Sequence, residues 1–185
     1  MSALRLGASL LPVLVGAWLS SAAFAQQPPR SATAARATEP TLLGQYSDWG
    51  AYTASPGGNK MCFALAKPKS TKIEPAGRSR DPAYVFVSTR PADNVKNEIS
   101  VIIGYPFKTS SDATAEIGNT KFAMYTQNDG AWIKNVAEEA RLVEAMRKGA
   151  ELTVKGSSGR GAQSVDQYSL KGLSQALDKV EQECR

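Results

Sequence analysis

Two cysteines, Cys62 and Cys184, bracket most of the chain, and histidine is absent. What such a pair imposes on the fold depends on the compartment, and the first residues of the sequence speak to that. Met1 to Arg5 is a short head with one positive charge and no acid, and Leu6 to Leu19 is almost continuously apolar. Ala23-Phe24-Ala25 then places small residues at the two positions a signal peptidase reads, just ahead of Gln26. This layout predicts a secretory signal peptide over residues 1–25. The apolar run is interrupted by Pro12 and Gly16 and falls short of the ~20 residues of a membrane span. No cysteine stands after it for lipid attachment, and no later stretch is apolar enough to cross a bilayer. In an oxidising compartment two thiols of one exported domain pair, so a Cys62–Cys184 disulfide is expected.

Residues 26–40, QQPPRSATAARATEP, hold no aromatic or large aliphatic side chain and read as a flexible linker. Residues 41–185 are enough for one domain with a real core. Tyr46 to Thr53 and Lys60 to Ala66 flank the turn cluster Ser55-Pro56-Gly57-Gly58-Asn59 and predict a hairpin. In its second arm Met61, Phe63 and Leu65 share one face, while Cys62, Ala64 and Ala66 give the other a small-residue surface that a helix can approach. Lys67 to Pro82, with Pro68, Pro75 and Pro82, reads as a long loop. Ala83 to Thr89 and Glu98 to Tyr105 are central strands, apolar on both sides. Short strands follow near Ala115 to Ile117, Lys121 to Thr126 and Ala131 to Ile133, the last two joined by Gln127-Asn128-Asp129-Gly130.

The period then changes. Asn135 can cap a helix over Val136 to Lys148, with Glu138 and Glu139 in its first turn and Arg147 and Lys148 in its last. Glu151 to Lys155 and Gln163 to Tyr168 form another hairpin around Gly156 to Gly161. A second helix, Lys171 to Glu183, takes Ser169 as its cap. Leu170, Leu173, Leu177, Val180 and Cys184 recur at spacings of three and four, so the stripe that docks this helix carries its cysteine toward the small face around Cys62.

Several chemistries are disfavoured by composition. Without histidine there is no Ser-His-Asp or Cys-His arrangement, and two distant cysteines do not supply the four ligands of a structural zinc site. A close cysteine pair for thiol exchange is missing. The glycine run ends in Ala162-Gln163, where a phosphate loop needs Lys and then Ser or Thr, so it is read as a plain hairpin loop. Asp48 beside Trp49, and Glu138 beside Glu139, are the acids that carboxylate-dependent glycan hydrolysis would require, with nothing in the sequence to place them together. The formal charge of +5, of which the leader carries only Arg5, is too diffuse for a nucleic-acid binder. The basic segment Lys67, Lys69, Lys72, Arg78 and Arg80 is the candidate contact loop, suited to weak contact with anionic envelope groups or an acidic partner. Trp49, Trp132 and Tyr125 are a candidate aromatic platform, although strand alternation places such rings in or near the core.

The fragments Tyr46-Ser47-Asp48-Trp49, Lys60-Met61-Cys62-Phe63-Ala64, Arg147-Lys148-Gly149-Ala150-Glu151-Leu152, Gly159-Arg160-Gly161, Tyr168-Ser169-Leu170-Lys171-Gly172, Ala176-Leu177 and the terminal Cys184 follow one another in an order that resembles the invasion-associated locus B family. The match covers about Gln45 to Arg185. The resemblance implies an immunoglobulin-like antiparallel β-sandwich with two helices, the C-terminal one packed on the sheet. It also implies export to the periplasm or cell surface and, through members in host-associated bacteria, a link to host-cell entry. It brings no catalytic residues, and the further cysteine that some members carry after the Asp-Trp pair is missing from Gly50 to Ser55. The expected function is a non-enzymatic envelope protein that binds a partner or envelope component, with no cofactor or metal. A periplasmic glycan hydrolase and a purely structural module are the alternatives.

Overall fold

The computed structural model describes residues 39–185. The predicted signal peptide and most of the predicted linker lie outside the described residues. Eleven strands follow: β1 (Thr41–Tyr46), β2 (Trp49–Ala54), β3 (Met61–Ala66), β4 (Ser70–Glu74), β5 (Tyr84–Arg90), β6 (Val95–Ile102), β7 (Ala113–Ile117), β8 (Thr120–Gln127), β9 (Gly130–Ile133), β10 (Glu151–Ser157) and β11 (Gln163–Ser169). Two helices complete the set, α1 (Glu139–Lys148) and α2 (Leu173–Glu183).

Every strand pairing is antiparallel, in the order β1-β2-β3-β5-β6-β9-β8-β7-β10-β11-β4. The ladder folds over so that both halves line one core. Trp49, Cys62, Val85, Val87, Ile99 and Val101 come from one half, and Phe122, Met124, Leu152, Val154 and Tyr168 from the other. Trp49 Nε1 donates to the Ser169 carbonyl at 2.9 Å, tying β2 to the end of β11. The sandwich that the family resemblance implies is therefore present, with its two layers still hydrogen-bonded to each other through β9.

The small face of β3 does what its composition predicts. Cys62, Ala64 and Ala66 are buried, and α2 lies on β1, β2 and β3 with Leu173, Ala176, Leu177 and Val180 inward. Cys62 and Cys184 are disulfide-bonded with Cα atoms 5.9 Å apart. Lys60 Nζ, just ahead of that strand, adds bonds of 2.6 Å to the Glu183 carbonyl and 2.7 Å to its carboxylate, pinning the last helical turn to the start of β3.

Three local readings differ from the structure. The predicted single strand from Tyr46 to Thr53 is broken by a tight turn at Ser47-Asp48, where Ser47 takes a φ of 52°. The predicted first helix opens as a 3-10 turn, Val136–Glu138, capped by Asn135 Oδ1 accepting from the Ala137 amide, before α1 proper. The last helix starts at Leu173, two residues later than predicted. Gly172 sits at φ 94°, where a Cβ would stand 1.8 Å from the Tyr46 carbonyl oxygen. Ser169 instead accepts from the Lys171 amide at 3.2 Å.

Candidate functional site

The basic segment does not form one loop. Ser70 to Glu74 is strand β4, an outer strand paired with β11 in the register Thr71↔Asp166 and Ile73↔Ser164. A short, lysine-bearing strand suits a sheet edge, because charge there resists pairing with another chain. The five cations consequently meet different surroundings. Lys67 lies over the Tyr84 ring, 5.6 Å from its centre. Lys69 pairs with Asp48 at 2.9 Å and Lys72 with Glu74 at 2.6 Å, both at the surface. Asp48 is held below the usual carboxylate range by a hydrogen bond from Ser169 and by Lys69.

Arg80 is not a surface group. Its side chain is 7% exposed and forms a double ion pair with the fully buried carboxylate of Asp166. The same guanidinium donates to the Ile103 carbonyl at 2.8 Å and to Thr71 Oγ1 at 3.1 Å, and it lies 6.0 Å from the centre of the Tyr105 ring. Thr71 Oγ1 in turn donates to Asp166 at 2.7 Å. Asp166 reaches the core because it alternates inward with Ser164 and Tyr168 on β11. An ion pair so deep is costly unless its other donors and acceptors are filled, and here both terminal nitrogens of the guanidinium and both oxygens of Asp166 are engaged. Tyr105 closes the network through a hydrogen bond of 2.7 Å between its hydroxyl and Ser164 Oγ, and burial pushes its phenol up. Gly156 on β10 makes room for it, since a Cβ there would meet Phe107 at 2.7 Å and the Tyr105 hydroxyl at 3.1 Å.

Above this floor opens a cleft of about 580 Å³. One wall is residues 77–81 and the other is the loop Ser158-Gly159-Arg160, so the basic segment and the glycine-rich hairpin, read separately in the sequence, meet here. Arg78 and Arg160 are both exposed on the cleft, and neither forms an ion pair among the described residues. Asp81 is the single acid among its lining residues. The loop keeps its shape through Ser158, whose Oγ accepts from the Ala162 amide at 3.0 Å, and through Gly161 at φ 80°.

The acids considered for hydrolysis are each engaged elsewhere. Asp48 sits at the β1–β2 turn, Glu138 meets Arg141 at 3.4 Å, and Glu139 accepts from the Ile99 amide at 2.7 Å. Of the candidate platform, Trp49 is fully buried, whereas Tyr125 is 45% exposed and stacks on Trp132. Among the described residues no three of His, Cys, Asp and Glu are gathered closely enough to hold a metal, and no helix is long and apolar enough to cross a membrane.

Comparison with known proteins adds two matches. The family model for the invasion associated locus B (IalB) protein matches residues 49–181. The crystal structure of invasion associated protein B from Bartonella henselae superposes with a TM-score of 0.52 at 15% identity, covering 77% of this chain and 97% of that one. At that identity the likeness speaks to the fold. No curated protein matches the chain in sequence. With the family model spanning most of the domain, from Trp49 in the core to Glu181 on α2, the chain belongs to the invasion associated locus B family.

Proposed function

We propose that this chain is an exported, non-catalytic binding protein of the cell envelope, periplasmic or at the cell surface, whose arginine-lined cleft takes an anionic group of a partner or envelope component. One observation carries this reading. Arg78 and Arg160 come from distant parts of the sequence yet stand on the same cleft with no ion-pair partner among the described residues, while the third arginine beneath them is neutralised by Asp166. Guanidinium groups hold their charge at any physiological pH and present planar donors to carboxylate or phosphate. They do not exchange protons as a general acid or base must. A single carboxylate on the cleft, Asp81, is half of what glycoside hydrolysis requires. Export is supported by the leader-like N-terminus and by a disulfide, a bond that persists in oxidising compartments. The family's association with invasion makes host-cell surfaces one setting for such binding.

The test is capture from cross-linked, intact envelopes with the oxidised protein, its Arg78→Glu/Arg160→Glu variant and its Lys67→Glu/Lys69→Glu/Lys72→Glu variant. The reading expects capture to be lost in the arginine variant and kept in the lysine variant. Equal capture by all three rejects the cleft.

A further inference from the structure

The two outer faces of the sandwich are chemically different. On the β7–β10–β11–β4 half the outward side chains are polar apart from Val165, with Thr114, Glu116, Thr153, Lys155, Gln167 and Lys72 on the same face. On the other half they are aromatic. Tyr125 on β8 is opposite Trp132 on β9, Trp132 opposite Ser100 on β6, Ser100 opposite Phe86 on β5, and Phe86 opposite Leu65 on β3. Tyr52 and Phe63 extend the row across β2 and β3, stacked at 5.3 Å and 13°, and Phe86 links Phe63 to Tyr84.

Two of these rings lie down on the sheet. Trp132 covers Gly130, where a Cβ would come within 2.4 Å of the indole, and Tyr52 covers Gly50, where a Cβ would come within 2.6 Å of the phenol ring. A ring laid along its strand over a glycine turns its face outward, and the negative face of an aromatic ring attracts polarised C–H and N–H groups. Between its two ends the band carries no charged side chain. Lys67 stands at its Tyr84 end, the mutually paired Arg90 and Glu98 stand at the other, and the rows between hold aromatic, aliphatic, serine and glycine residues. Apart from Tyr125 these rings are half-buried or buried by their neighbours. The open apolar area is therefore small beside the ~800 Å² each partner gives to a stable protein interface.

We propose that this face is a carbohydrate-binding surface, on which the flat C–H faces of uncharged β-linked hexopyranose units stack against Tyr125, Trp132, Phe86 and Tyr52 while their hydroxyls reach Ser100 and Gln127. Such sugars match the surface in charge, being neutral, and in shape, being flat with equatorial substituents. A second copy of the chain would need the larger contact area that this face lacks.

Calorimetric titration of the oxidised protein with chitohexaose and with cellohexaose tests the assignment. Wild type binds at least one of them, and Tyr125→Ala, at an exposed position, weakens binding about tenfold, the effect of losing one stacked ring. Trp132→Phe, which keeps a ring over Gly130, retains most of the binding, and Arg78→Glu/Arg160→Glu leaves it unchanged. Failure of wild type to bind either oligomer overturns the proposal. So does binding indifferent to Tyr125→Ala, or lost with the arginines. A wild-type dimer in sedimentation that Tyr125→Ala dissociates also overturns it, because a second copy then covers the face.

Discussion

Removing the Cys62–Cys184 bond is the most quantitative perturbation the structure offers. The two residues are 122 positions apart, so the bond closes most of the folded chain into one loop. Restricting an unfolded chain by a loop of that length is worth about 5 kcal/mol in the chain-entropy treatment. The native state loses little by comparison. Leu173, Ala176, Leu177 and Val180 remain buried on α2, and Lys60 still holds the Glu183 end. Cys62→Ala/Cys184→Ala, which continues the alanine surface of β3, isolates the cross-link from packing. With a urea slope of roughly 2 kcal/mol per molar, the unfolding midpoint falls by roughly 2–3 M, and the slope itself steepens because the uncrosslinked unfolded chain is more expanded. Against a total stability of about 5–15 kcal/mol, that loss leaves the variant near the limit of folding. Far-UV circular dichroism and tryptophan emission, followed in parallel through urea, give both quantities. A midpoint shift below about 0.5 M with an unchanged slope refutes the reasoning, since the bond then does not restrict the unfolded state.

Asp166→Asn strands the buried Arg80 guanidinium and is expected to cost about 3–5 kcal/mol in chemical denaturation, whereas the apolar pair Arg80→Met/Asp166→Leu costs far less. The Tyr168 hydroxyl is buried with no hydrogen-bond partner among the described residues, and Tyr168→Phe is expected to leave stability unchanged or to raise it by up to about 1 kcal/mol. A substantial loss would show that the hydroxyl is bonded after all. Burial pushes the Glu139 carboxyl above its ordinary value of 4.5 despite the Ile99 amide. Folding therefore favours its protonated form, and that contribution is complete below pH 4.5 and lost as pH rises through the folded-state value. Glu139→Gln keeps the acceptor without the charge, so denaturation midpoints should show it more stable than wild type at pH 7 and equal to it at pH 4. A deficit at pH 7 would contradict the sign.

What the sequence made legible was local periodicity. The stripe from Leu170 to Cys184 and the alternation around Cys62 specify their faces by counting residues, and the disulfide follows from those two patterns. The turn at Ser47-Asp48 escaped because the apolar residues on either side read as one continuous strand. Strand β4 escaped because five residues between prolines carry little pattern of their own, and the partner that orders them, β11, lies far along the chain. The alternation of Thr71 and Ile73 with Lys72 is the signal that can reveal it. The fate of Arg80 was invisible for a related reason. Its charge looks like that of Arg78 two residues away, and only the inward register of Asp166 on a distant strand decides which of the two is buried. Likewise Trp49 and Trp132 are equivalent as residues, but their strands present them to opposite sides of the sheet.

Cys184 follows Cys62 by 122 positions, and that separation gives the bond a timing. A chain made N-terminus first completes Cys62 long before its mate, so the bond can close only after the rest of the sheet and both helices have been made. A product that stops between the two cysteines keeps one free sulfur, available to disulfide-exchanging enzymes or to a neighbouring chain. The closed bond is in effect a receipt for a domain made through the end of α2, legible on a non-reducing gel.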